Sequence, residues 1–189
     1  LYRNEVLVAS GRVDNVKKLN LKKLGIKLTK QEAIKVDIKL KTNLNNIFAI
    51  GDVTDRMNLT PVAIAEGQLL SDRLFGKLKM KRVSLKNIGT AVFSSPPISS
   101  IGPNAKEAFK TYKNLDVYES KFTSLKYSIV NKKIPTYIKL LVNSNNKRII
   151  AAHMFGEDAP EIIQVLAIAI QANATINHFN DTMAIHPTV

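Results

Sequence analysis

Residues 159–172 read Ala-Pro-Glu-Ile-Ile-Gln-Val-Leu-Ala-Ile-Ala-Ile-Gln-Ala, a helical stretch with apolar side chains on almost every face. Pro160 suits the first turn, Asp158 and Glu161 frame a capping box, and Asn173 can supply a left-handed C-terminal cap. A helix apolar nearly all round must be buried against a core or a partner. The segment upstream offers a sheet for it. Thr136–Asn143 and Arg148–Phe155 read as strands joined by the polar turn Ser144-Asn145-Asn146-Lys147. Thr90–Phe93 reads as a further strand leading into Ser95-Pro96-Pro97, and Asn104 with Glu107 forms a capping box for a short helix. The C-terminal part is therefore expected to be an antiparallel α+β domain.

The N-terminal part has a different grammar. Glu5–Ala9 is a short apolar run ended by Ser10-Gly11-Arg12, read as a buried strand entering a loop. Leu19, Leu21, Leu24 and Gly25 suggest a short helical or turn segment, and Ile34–Asp37 alternates as a strand does. Asn46–Ile50 is read as an apolar strand ending at Gly51-Asp52. A helix follows, with Thr60 as its cap, Pro61 in the first helical position and Gly76 after its end. Ala63, Ile64, Gly67, Leu70, Leu74 and Phe75 are expected to form its packing side. Residues 77–86 read as a linker, which puts a domain boundary near Val83.

With 189 residues, one or two domains are expected, and there is room for a core. No apolar run reaches the ~18 residues that span a bilayer, and no signal peptide is visible. The absence of cysteine excludes a disulfide framework, a thiolate metal site and a redox-active dithiol within this segment. No Gly-x-Gly occurs, so no dinucleotide fingerprint lies here. The net charge of +13 invites a nucleic-acid reading, but the basic residues are dispersed and few aromatics lie among them. A solvated basic surface is the expectation, with neither nucleic acid nor membrane as a partner.

Two small motifs carry chemistry. A strand ending in Gly51-Asp52 places a carboxylate where α/β folds open onto ligands, and an ionised Asp accepts strong hydrogen bonds from sugar or ribityl hydroxyls. The helix start at Leu59-Thr60-Pro61 adds unpaired N–H groups and a positive dipole end, which stabilise negative charge. The second motif is His186-Pro187-Thr188, which on its own also suits a surface-loop histidine before a turn. His153, on a strand, and His178, beside Phe179, pair with no other metal ligand at suitable spacing and are read as structural.

Taken together, Asn46–Ala63 and Ala184–Thr188 resemble signatures of the FAD-dependent pyridine nucleotide–disulfide reductases, and the Leu59-Thr60-Pro61-Val62-Ala63 wording is closest to glutathione reductases. The resemblance runs over essentially the whole chain. It implies FAD contacts at Gly51, Asp52, Leu59 and Thr60, with Asp52 on the ribityl chain and the Thr60 N–H near the flavin ring. It implies NADPH contacts at Gly11, Asn58 and Ala91, mainly through backbone. His186, delivered across the interface of a homodimer, would be the general acid/base for thiol–disulfide interchange. It also implies a chain cut at both ends: it opens at Leu1 without an initiator Met, and it stops before the Glu that normally orients this histidine five positions on.

The same resemblance divides the chain into the end of an NADPH domain (1–14), a returning segment of the FAD domain (15–83) and a dimerisation domain (84–189). Two departures bear on the substrate. Gln68 stands where some glutathione reductases carry an Arg that meets a glutathione carboxylate, and Leu125 stands where they commonly place Met. Glutathione disulfide remains the expected substrate, acted on in the cytoplasm. A trypanothione reductase-like or dihydrolipoamide dehydrogenase-like enzyme is the alternative, and a non-catalytic basic module that binds nucleic acid or only dimerises is the alternative of another class.

Overall fold

The computed structural model describes residues 5–76, 83–127, 130–131 and 133–189. Residues 77–82 of the expected linker, and Lys132, thus lie outside the described residues. Two compact units are formed, Leu1–Leu85 and Lys86–Val189.

The first unit has one long element, the helix α1 at Thr60–Leu74. Its remaining order comes from single-turn 3-10 segments at Lys17–Leu19 and Gly51–Thr54, and from isolated antiparallel bridges, Leu28 to Ile34 and Lys41 to Phe48. Val16, Leu21, Ile26, Ile34 and Ala49 form its core, with Leu28, Val36, Leu44, Ile47 and Val53 packed around them. Polar side chains do the local tying. Asn43 accepts from the Lys27 N–H at 2.8 Å and donates to the Gly25 carbonyl at 2.9 Å. Asp37 accepts from the N–H groups of Lys39 and Lys41.

Several local expectations fail here. Glu5–Ala9 is neither a strand nor buried; Val6, Leu7 and Val8 are 86%, 91% and 77% exposed. A strand needs a hydrogen-bonded neighbour, and none lies beside this run among the described residues. Ile34–Asp37 and Asn46–Ile50 each contribute one bridging residue, Ile34 and Phe48, and no ladder. The cap of α1 is Leu59, not Thr60, because the Leu59 carbonyl already accepts from Val62 at 3.0 Å and Ala63 at 3.1 Å. Its buried face is Val62, Glu66 and Leu69, while Ile64, Leu74 and Phe75 are exposed.

The second unit is a five-stranded antiparallel sheet. Its strands are β1 (Thr90–Val92), β2 (Ile98–Ile101), β3 (Leu115–Thr123), β4 (Pro135–Asn143) and β5 (Ile149–Phe155), in the order β1-β2-β5-β4-β3. The helix α2 (Ala105–Thr111) follows β2 and carries the expected Asn104–Glu107 capping box. The helices α3 (Ala159–Gln171) and α4 (Ile176–Asp181) follow β5.

Strand alternation gives the sheet two working faces. Ile101, Val142, Ala152 and Met154 pack with Ile163 and Ile170 of α3. Leu141 and Ala151 pack instead with Ala108 of α2. Asp158 makes no capping bond: its backbone (φ −94°, ψ 8°) is not extended, and its carboxylate goes to the Lys126 ammonium at 3.4 Å. Asn173 has the left-handed conformation expected of it, φ 59°. Val165 and Ile168 of α3 stay 65% and 66% exposed, so this single chain covers only part of the apolar helix.

Candidate functional site

In the first unit the site is built around Gly51. Its φ of +68° lies in the left-handed region, and a Cβ added there would come within 3.0 Å of the Ala63 Cβ. A side chain at 51 would therefore be strained twice, by conformation and by the close approach of α1. The turn is fastened by side chains. The Gly51 N–H donates to Glu66 Oε2 at 2.8 Å, and the Thr54 hydroxyl donates to the Gly51 carbonyl at 2.8 Å. The Arg56 guanidinium bonds the other oxygen of Glu66 and, at 3.4 Å, Thr54 Oγ1. With the turn held against the first turns of α1, Asp52 is left exposed at its outer side.

Asp52 opens onto a cleft of about 550 Å3, lined also by Arg12, Asp14, Asn15, Gln31, Asp55 and Asn58. Asn58 donates to Asp55 at 3.0 Å. One oxygen of Asp14, Oδ2, is shielded from solvent and has no hydrogen-bond partner. Burial, then the negative charges of Asp55 and Asp52, push the Asp14 carboxyl above the usual carboxylate range. Three carboxylates and three side-chain amides make a set of acceptors and donors suited to hydroxyl groups, with Arg12 as the cation.

The sequence-derived residues fall into distinct places. Asp52 and Asn58 line the cleft, and Gly11 precedes the lining residue Arg12. Leu59 and Thr60 do not line it; they form the start of α1, whose first N–H groups have no intrahelical acceptor. Gln68 is exposed on α1. In the second unit, Ala91 lies in β1 and Leu125, 51% exposed, opens a 3-10 turn at Leu125–Tyr127. His186 is exposed at a bend in the C-terminal stretch, where the Thr188 hydroxyl donates to the Ile185 carbonyl at 2.7 Å. The other two histidines have structural partners. His153 Nε2 is 3.2 Å from the Pro103 carbonyl, and burial holds its pKa below the usual imidazole value. His178 Nδ1 caps its own helix through Thr175.

Sequence reading passed over Glu66, Arg56, Thr54 and Asp14. The signal for Glu66 was present: Val62, Glu66 and Leu69 lie at i, i+4 and i+7, one helix face. Among the described residues no cluster of His, Asp and Glu is arranged to hold a metal ion, and no helix is long and apolar enough to cross a membrane.

The profile of the pyridine nucleotide-disulphide oxidoreductase dimerisation domain matches residues 88–189. The chain belongs to this family. A second profile of the pyridine nucleotide-disulphide oxidoreductases matches residues 3–67. Among curated relatives, a glutathione reductase of Burkholderia cepacia is 40% identical over 184 residues, covering 97% of this chain and 41% of the relative. A trypanothione reductase of Leishmania donovani is 40% identical over 187 residues, covering 98% and 38%. The chloroplastic/mitochondrial glutathione reductase of Pisum sativum is 38% identical over 185 residues, covering 98% and 33%. The chain thus spans 33–41% of the length of these oxidoreductases. Among solved structures, the HOCl-induced flavoprotein disulfide reductase RclA of Escherichia coli superposes with a TM-score of 0.82 at 25% identity, over 96% of this chain and 42% of that one.

Proposed function

We propose that this chain is part of an FAD-dependent, NADPH-using disulfide reductase, with glutathione disulfide as substrate. The observation that carries the reading is the Gly51–Asp52 turn, pinned against α1 with its carboxylate open to a cleft of hydroxyl-accepting groups. That donor set fits the hydroxyl-bearing chain of a dinucleotide better than its pyrophosphate, because carboxylates accept from hydroxyls and repel phosphate. The unpartnered Asp14 Oδ2 adds one more acceptor.

Asp52 would hold the ribityl chain, and the Gly51 backbone and the start of α1 at Leu59 and Thr60 would face the flavin ring. Gly11, Asn58 and Ala91 would meet NADPH. When bound, the flavin carries electrons between a nicotinamide and a dithiol, neither of which this chain contains. What the chain itself would add to the chemistry is His186. An exposed imidazole can take a proton from an attacking thiol and return it to the leaving one. The disulfide would be held mainly by the other subunit of a full-length homodimer, with Lys86–Val189 forming the interface and the uncovered Val165 and Ile168 within it. The domain limits we adopt are 1–14, 15–83 and 84–189, and the cytoplasm, where glutathione is kept reduced, is the compartment that suits the reaction.

Gln68 favours a second substrate reading. A neutral amide on the exposed side of α1 cannot make the guanidinium–carboxylate contact of an Arg, so a cationic disulfide related to trypanothione is the competing substrate. Leu125 is the other residue we assign to the substrate.

Rapid-mixing kinetics on the full-length enzyme test the assignment. His186→Ala should slow disulfide turnover by about 10²–10⁴-fold, the usual worth of a general acid/base. Reduction of the flavin by NADPH should keep its native rate. A variant that loses the flavin step and keeps the disulfide step would refute the role.

A further inference from the structure

Glu66 is the sole carboxylate among the buried described residues, 2% exposed, and the chemistry above gives it no task. Both of its oxygens are engaged: one accepts from the Gly51 N–H, the other from Arg56, whose side chain is itself 28% exposed. Burying a carboxylate is costly unless its charge and lone pairs are met, and a buried pair contributes little net stability compared with apolar packing. Apolar residues flank this position on the same face, Val62 and Leu69, so α1 has its packing without a charge. The charge serves the turn instead. The Gly51 N–H, aimed at the helix by a φ of +68°, finds its acceptor fifteen residues away.

The bonds form a closed ring. Glu66 joins Gly51 and Arg56, Arg56 joins Thr54, and the Thr54 hydroxyl returns to the Gly51 carbonyl. Gly51 precedes Asp52, Glu66 and Thr54 both bond to Gly51, and Arg56 bonds to each of those two. We infer that Glu66 is a positioning residue for the bound dinucleotide. Through Gly51 and Arg56 it fixes the direction of the Asp52 carboxylate and its placement relative to the start of α1. This inference rests on the flavin reading of the cleft. It assigns Glu66 no contact with flavin, substrate or reacting atoms.

The test uses the full-length enzyme and four variants: Glu66→Ala, Glu66→Gln, Arg56→Met and Asp52→Ala. The readouts are the FAD dissociation constant, the visible circular dichroism of the bound flavin, and thermal melting of the apoprotein. Glu66→Ala should weaken FAD binding by about 10- to 100-fold, the worth of a buried hydrogen bond to a charged group, and should alter the flavin dichroism. Glu66→Gln, whose amide oxygen can still accept from the Gly51 N–H, should restore most of the dichroic signature. Arg56→Met should fall between them. Should Glu66→Ala fail to fold, Glu66→Gln and Arg56→Met carry the test, and native affinity and dichroism in both overturn the inference. A lowered apoprotein melting temperature with native affinity and dichroism would make Glu66 merely structural and also overturn it. If Asp52→Ala loses FAD while the Glu66 variants retain it, the inference fails and the flavin reading stands. If Asp52→Ala too binds FAD natively, the flavin reading itself fails.

Discussion

Between Lys86 and Val189, backbone polar groups are paired along four antiparallel strand interfaces. Among the described residues of the first unit outside α1 they are paired a few at a time, by local turns, by bridges at Leu28–Ile34 and Lys41–Phe48 and by the side chains of Thr29, Asp37, Asn43 and Glu66. The contrast separates two ways of holding a chain still. A ladder satisfies backbone groups whatever side chains it carries, so the sheet unit can spend its residues on packing. A segment without a ladder needs a specific polar side chain wherever a backbone group turns inward. Conformation in the first unit is therefore written residue by residue, and a single carboxylate can govern a site there.

The comparison can be broken most directly in the cores. Leu141→Ala removes a side chain that is fully buried between the sheet and α2 and should cost about 2–5 kcal/mol. Leu21→Ala, in the first-unit core, is 7% exposed at a position surrounded by turns that can relax, and should cost about 2 kcal/mol or less. Denaturant unfolding of the full-length protein, resolved by hydrogen exchange in each unit, would measure both. Equal costs would mean that the first unit is packed as rigidly as the sheet.

A buried hydroxyl in each unit gives a smaller contrast of opposite sign. Ser99 on β2 is 1% exposed and its hydroxyl has no partner, so Ser99→Ala should be neutral or stabilise by about 1 kcal/mol. The Thr54 hydroxyl is bonded to the Gly51 carbonyl, so Thr54→Val should destabilise by about 1–2 kcal/mol. Melting temperatures that move the same way in both variants would sink the distinction.

The smallest expected effects are on pH dependence. The folded Asp14 carboxyl is raised, so between its unfolded and folded pKa values the folded state binds more protons. Its contribution is complete below the ordinary carboxylate range and is lost as pH rises through the folded value. His153 is depressed by burial, so there the unfolded state binds more protons. Its contribution is complete above the ordinary imidazole range and is lost as pH falls towards the folded value. Subtracting the stability–pH curves of Asp14→Asn and His153→Gln from the native curve should give slopes of opposite sign, each in its own pH range. Slopes of the same sign would show that one of the two environments is misassigned.

How far the sequence could be read follows the same division. The β4–β5 hairpin, the Asn104–Glu107 capping box, the Pro160 helix start and the left-handed Asn173 were all legible, because each is set by neighbours a few residues apart. The antiparallel α+β character of the C-terminal part was legible for that reason, and the motifs around Asp52 and His186 pointed to the family. Composition was a weaker guide: the +13 charge named no partner.

What the tertiary structure alone decided is where groups distant in sequence meet. The apolar look of Glu5–Ala9 promised a buried strand, yet a strand exists only beside another, and none adjoins it among the described residues. Alternation at Ile34–Asp37 promised the same and yielded one bridge. The capping promise of Asp158 was withdrawn by Lys126, a competitor thirty-two residues away. The helix spacing put Glu66 on the face of Val62 and Leu69, but only the fold brought Gly51 and Arg56 within bonding distance of it. Periodicity and capping depend on covalent neighbours and can be read along the chain. Burial of a charge and the completion of a ladder depend on a partner that only the folded chain brings near.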